Sequence, residues 1–134
     1  MKPLSRRETV KRNMELIREM VLLLEAEPEG WAPRDIVERL EKKGYSREGI
    51  QYHTYLLVDG GLAVGVDVTH SGSSGPEYLL RHLTWAGHDF ADACRADGIW
   101  KNARKIISEK LGSVSFDVLK ALLKALAMGA LNIT

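Results

Sequence analysis

Apolar residues recur near the start of the chain at alternating steps of four and three: Val10, Met14, Ile17, Val21 and Leu24. That spacing is one face of an α-helix and predicts a helix over residues 9–26. Leu16, Met20 and Leu23 widen the face enough for burial on two sides. Glu27-Pro28 stops it, because proline disfavours helix in the residue before it, and Glu29-Gly30 makes a turn. Ile36, Val37 and Leu40 mark a second helix over 33–43, with Pro33 tolerated in its first turn and Gly44 at its end. A third helix follows almost at once. Ser46 caps it, Tyr45 sits where a hydrophobic staple belongs, and Asp59 precedes the Gly60-Gly61 break. Two helices joined by so short a turn are a helix-turn-helix.

The pattern then changes period. Leu62 to Val68 is β-branched and apolar, residues 70–76 have turn composition, and Glu77 to Leu83 reads as a returning strand. Three helices followed by a hairpin is the element order of a winged helix, with residues 70–76 as the wing. Thr84 caps a further helix over 85–96, with Gly98 as its breaker; helices over 99–111, closed by Gly112, and over 116–128, begun by Ser115 and closed by Gly129, complete the chain. Gly87 lies inside a helix, where glycine costs about 1 kcal/mol relative to alanine, so a close backbone approach is expected there, from Trp100 or the first helix. The predicted fold class is α+β, mostly helical: a winged helix-turn-helix with a C-terminal helical extension. The layout is a basic flexible arm over 1–8, a winged-helix domain over 9–96 and an extension over 97–134 for packing or oligomerisation.

Length and composition narrow the function more than they name it. The chain has 134 residues, 45% hydrophobic and 28% charged, which suits one compact domain. A net charge of +1 gives no global attraction to nucleic acid, membrane or acidic partners. Charge is nevertheless segregated, with a net +4 over residues 1–12, −3 over 61–98 and +4 over 99–134. The single Cys94 excludes an internal disulfide and any multi-cysteine zinc site. No secretory-type leader is visible, and apolar runs such as Met20 to Leu24 fall far short of the roughly 18 residues of a membrane span. The expectation is a soluble, cytoplasmic protein without membrane attachment.

Residues 50–62 resemble the recognition helix and first wing strand of bacterial winged-helix regulators, with Thr54 departing where those regulators place a core leucine. A wider resemblance rests on Tyr45-Ser46, the run from Leu83 through Thr84-Trp85-Ala86-Gly87-His88-Asp89 to Phe90, Asp97-Gly98-Ile99-Trp100 and Gly112-Ser113-Val114-Ser115. Together these resemble domain of unknown function 2513, a family of small bacterial, phage and prophage proteins. Ala86 and Asp89 stand where the family has glutamates, which weakens a carboxylate site there. The resemblance implies a winged-helix core and a mobile-element setting, and adds no catalytic residue.

The candidate chemistry is that of a binding protein. If Ile50, His53, Leu56 and Leu57 face inward, Arg47, Gln51, Tyr52 and Tyr55 face outward, where Arg and Gln can pair with guanine and adenine in a major groove. Arg34, Arg39, Lys42 and Lys43 from the second helix would contact phosphate, the dominant source of affinity for DNA. Glu48, Asp59 and a wing tip without Lys or Arg oppose that use. Val118, Leu119, Leu122, Leu123 and Leu126 form an apolar face on the last helix that either folds back on the core or pairs with a second copy, a homodimer being favoured. His88 and Asp92, one helical turn apart, lack a third metal ligand. The glycines at 60, 61 and 65 follow a helix and enter a strand, the reverse of a phosphate loop, and the serines beside His70 have no oxyanion site. The expected function is therefore a non-enzymatic winged-helix protein without cofactor that binds duplex DNA as a small regulator. The alternative is a protein–protein adaptor on the same fold.

Overall fold

The computed structural model describes residues 11–131, so the arm expected over 1–8 lies outside the described residues. Among them, six helices and one two-stranded antiparallel sheet make an α+β, mostly helical fold. The first helix, α1 (Met14–Ala26), begins later than its apolar period suggests, because the Asn13 side chain caps it by accepting the Glu15 and Leu16 N–H groups at 2.9 and 3.4 Å. It is buried on both sides through Leu16, Ile17, Met20, Val21 and Leu24, and ends before Pro28 with Glu27 extended.

Helix α2 (Ile36–Lys42) starts three residues later than predicted. Its lead-in is held elsewhere: the Ala32 N–H donates to the Arg81 carbonyl at 2.7 Å, and a turn closed by the Ile36 N–H on the Pro33 carbonyl at 3.3 Å leads from there into the helix. Helix α3 (Arg47–Asp59) is capped as expected, with Ser46 Oγ accepting from the Gly49 N–H at 3.0 Å. Strands β1 (Ala63–Asp67) and β2 (Tyr78–Leu83) pair with Ala63 opposite Leu83 and Val66 opposite Leu79, and the register shifts by one between Val64 and Gly65. Arg81 is the extra residue, a bulge on β2 alone.

Helix α4 (Trp85–Cys94) is capped by Thr84, whose Oγ1 accepts from the Gly87 N–H at 3.0 Å and donates to the Gly61 carbonyl. Helix α5 (Asp97–Lys110) contains Gly98 in its first turn, so Gly98 is not the breaker. The chain turns at Ala96 instead, and the Arg18 guanidinium receives the frayed end of α4 by donating to the Cys94 and Arg95 carbonyls at 2.7 and 3.1 Å. Helix α6 (Phe116–Ala130) likewise runs through Gly129, whose surroundings are open and whose φ is ordinary.

One cluster of buried side chains extends from Leu16 to Leu123. Phe90, Trp100 and Phe116 join α4, α5 and α6, with ring centroids 6.5 Å apart for Phe90–Trp100 and 4.9 Å for Phe90–Phe116. Trp100 also donates its indole N–H to Glu15 at 2.7 Å, tying α5 to α1. The close approach expected at Gly87 is real, but its partner is neither Trp100 nor α1. A Cβ on Gly87 would lie 2.0 Å from the Leu62 carbonyl oxygen.

Gly87→Ala should therefore lower stability by about 3 kcal/mol, because backbone, not a movable side chain, fills the space. Gly129→Ala, with nothing within 4 Å, should raise it by up to about 1 kcal/mol. Urea midpoints of the two variants against the unmodified chain check both, and similar shifts for both would contradict the packing.

Candidate functional site

On α3, Ile50, His53 and Leu57 point into the core as expected, while Leu56 is half-buried. Thr54 occupies a core position by donating its hydroxyl to the Ile50 carbonyl at 2.9 Å, which satisfies the group without a distant partner. Arg47, Glu48 and Tyr52 are exposed, and Gln51 and Tyr55 are half-buried. Tyr52 and Tyr55 stack at 6.3 Å, and Tyr55 lies 6.1 Å from Tyr78 of β2, so a row of tyrosines crosses from α3 to the hairpin.

The cations expected to meet phosphate are mostly occupied. Arg39 pairs with Asp35 at 3.0 Å and Glu27 at 3.2 Å, Lys43 with Glu19 at 2.9 Å, and Arg47 with Glu41 at 3.1 Å. The hydrogen bonds to Asp35 and Glu41 hold the Arg39 and Arg47 guanidiniums above their ordinary pKa. Arg34 and Lys42 make no ion pair among the described residues. Between α3 and the hairpin tip lies a cleft of about 220 Å³ lined by Glu48, Gln51, Tyr52, Ser74, Pro76 and Glu77, with two carboxylates and no cation. The tip itself is stitched by Ser73 Oγ donating to Glu77 at 3.0 Å and the Glu77 N–H donating to Thr69 Oγ1 at 2.9 Å.

The opposite face of the hairpin differs in character. In β1 the even positions are Val64 and Val66, continued by Val68 just past the strand, and the odd ones are Ala63, Gly65 and Asp67. Alternation normally sends the valines inward; here they face out. Gly65 is the reason: a Cβ there would sit 2.8 Å from Val58 Cγ2 of α3 and 3.2 Å from the Leu79 carbonyl, so only small residues fit the helix side. Val64 and Val66 are 41% and 43% exposed, Leu79 57% and Trp31 56%, and Trp31 packs edge-on against His82 at 5.1 Å. The apolar outer face of the hairpin was missed in the sequence, although the V-x-V-x-V spacing was its signal. What the spacing lacked was the sign of the face.

The last helix settles differently from a pairing surface. Leu119 and Leu123 are fully buried in the chain's own core, Leu122 and Leu126 pack half-buried against it, and only Val118 of that set is exposed. The face folds back because Phe90 and Phe116 already form its floor, and Leu119 and Leu123 are unavailable to a second copy. His88, Asp92 and Cys94 do not converge: Asp92 pairs with Arg95 at 2.9 Å, His88 is exposed, and Cys94 is buried. Burial pushes the Cys94 thiol up to about 11, so it is no nucleophile at neutral pH. Among the described residues no three His, Cys, Asp or Glu side chains gather in a metal-holding group, and no helix is long and apolar enough to cross a membrane.

A sequence profile for a family described as a hypothetical protein, DUF2513, matches residues 11–113. The chain belongs to this family. The matched stretch takes in α1 to α5 and both strands, and stops short of α6. An uncharacterized protein of Haemophilus influenzae is 32% identical over 111 residues, covering 83% of this chain and 90% of that one. No solved structure matches the chain.

His53 offers a test of how α3 is held. The Asn13 backbone N–H can only donate, so His53 Nε2, 2.7 Å away, accepts, and Nδ1 carries the proton toward the Gly49 carbonyl at 2.8 Å. Desolvation lowers its pKa from 6.5, the Arg12 charge adds to this, and the Gly49 bond opposes it. A histidine with a depressed folded pKa contributes stability above its unfolded value, and that contribution is lost as the pH falls through the folded one. The unfolding free energy should fall as pH drops below about 6.5, and His53→Gln should flatten that slope; denaturation curves at pH 7.5 and 5.5 check it. An equally steep slope in the variant would place the acid sensitivity elsewhere.

Proposed function

We propose that this DUF2513 protein is a non-enzymatic interaction module on a winged-helix scaffold, docking a protein partner through the apolar outer face of its hairpin. The element order supports the scaffold: α2 and the capped α3 form the helix-turn-helix, β1 and β2 the wing, and α1 backs them. One observation carries the functional reading. With Gly65 against α3, Val64 and Val66 of β1 and Leu79 of β2 are exposed on the outer face of the sheet, and Trp31, packed on His82, and Val68 lie exposed next to it. Exposed apolar groups gathered in a patch mark interaction sites, whereas scattered ones do not.

DNA binding by a small regulator is the second reading. It is supported by Gln51 and Tyr52 on the outer side of α3 and by Arg34 and Lys42, which keep their charge unpaired among the described residues. It ranks second because Arg39, Lys43 and Arg47 would each have to leave a carboxylate to reach phosphate, and because Glu48 and Glu77 line the cleft beside α3. Phosphate neutralisation by free cations is what gives a DNA-binding face its affinity.

The two readings predict opposite mutational patterns in cross-linked capture from a bacterial host. Trp31→Ser with Leu79→Ser, both at exposed positions, should lose whatever the unmodified chain retains, while Arg34→Glu with Lys42→Glu should keep it. Retention by the first variant and loss by the second, with DNA in the captured material, would overturn the docking reading.

A further inference from the structure

Members of the two basic stretches of the chain meet away from the hairpin. Lys11 and Arg12 from the first stretch and Arg104 of α5 from the last line one cavity of about 480 Å³, between the lead-in to α1 and the turn from α5 to α6. Local chemistry fixes its walls. The Asn13 N–H donates to His53 Nε2 at 2.7 Å, which holds the lead-in against α3. The Leu111 and Gly112 N–H groups both donate to the Ile107 carbonyl, at 2.9 and 2.8 Å, and Gly112 at φ 75° turns the chain back toward Ser115, the cap of α6. Arg104 stands 5.9 Å from the Trp100 ring centroid, with Glu15 3.7 Å from its Nε.

Two chemistries share the cavity. Its lining holds those three cations, the hydroxyls of Ser108 and Ser113 and, among the described residues, no carboxylate. Its inner side is apolar, with Ile107 and Leu119 buried and Met14 and Phe116 half-buried. Arg12, Met14 and Phe116 also border a second, mainly apolar cavity of about 220 Å³ with Leu56, Leu62 and Asp59. We propose that the larger cavity binds a small organic phosphate, a phosphomonoester carried on an apolar ring. Three cations call for more than one negative charge in one group, which a phosphomonoester carries near neutral pH and a carboxylate does not. Arg104 and Arg12 can each give paired N–H bonds to phosphate oxygens, and the serine hydroxyls add donors. Inorganic phosphate alone would leave the apolar side unfilled, whereas concave sites of roughly 300–1,000 Å³ with a few polar groups beside apolar walls suit small organic ligands. No residue of the hairpin lines the cavity, so the site stands apart from the docking face.

Titration of the isotope-labelled full chain with adenosine monophosphate, read by amide shifts in nuclear magnetic resonance, tests the assignment. Saturable shifts should gather at Gly112, Ser113 and Ser115, with a dissociation constant below about 1 mM. Inorganic phosphate and adenosine, each lacking one half of the ligand, should bind at least about tenfold more weakly. Ser113→Glu sets a carboxylate at an exposed lining position and should weaken the nucleotide at least about tenfold, whereas Ser113→Gln, of like size and uncharged, should keep binding within about twofold. Lys42→Gln, on α2 and outside the cavity, should change nothing. The proposal is overturned by no saturable shift up to about 10 mM nucleotide, by shifts centred elsewhere, by binding that Ser113→Glu leaves intact, or by inorganic phosphate or adenosine binding as tightly as the nucleotide.

Discussion

The fold turns on a contact with no side chain in it. The carbonyl of Leu62 lies against the backbone of α4 at Gly87, closer than any methyl group allows, and accepts the Thr84 N–H that ends the hairpin. Leu62 also donates its own N–H to Leu57, so the two peptide groups of this one residue bind the end of α3, the start of β1 and the first turn of α4. The Thr84 hydroxyl doubles the link, capping α4 while donating to Gly61. A glycine inside a helix is costly on propensity alone, and here it is required because the first turn of α4 must come within reach of the Leu62 carbonyl. With α4 so placed, Phe90 meets Trp100 of α5 and Phe116 of α6, and the Cys94 carbonyl meets Arg18 of α1.

The same closeness decides the hairpin's polarity. Pulled against α3, β1 leaves no room for a side chain at Gly65, next to Val58. The valines are thereby turned out, against the common rule that the larger apolar residues of a half-exposed strand face the core. The proposed function rests on that inversion: the cations around α2 and α3 are largely paired with carboxylates, while the hairpin turns out an apolar face.

Much of this was legible from local chemistry. The caps at Ser46, Thr84 and Ser115, the proline stop after α1, the burial of His53 and Leu57, and the need for a neighbour at Gly87 all follow from residue types at short range, and the structure bears each out. What was not legible depended on distant partners. Gly98 and Gly129 look like breakers, yet α5 and α6 pass through them; the chain turns ahead of Gly98 instead, where Arg18, 76 residues from Cys94 in sequence, holds the end of α4. The late start of α2 depends on Ala32 reaching Arg81. The basic residues of α2 and α3 looked available for phosphate because sequence does not show that Glu19, Glu27 and Glu41 meet them; the Asp35–Arg39 pair, at i,i+4 spacing, was open to reading. The leucines of α6 looked in need of a cover that the chain itself supplies.

The central claim is that the hairpin's apolar face, and not the cations of α2 and α3, makes this protein's contacts. Fluorescence anisotropy of labelled random duplex, titrated with the full chain at about 50 and 200 mM salt, addresses it most directly, since phosphate contacts make affinity fall steeply between those concentrations. The predicted result is no saturable binding at either salt concentration. Saturable binding at low salt that weakens by about a thousandfold at the higher one, and that Arg47→Glu with Lys42→Glu abolishes, would contradict it.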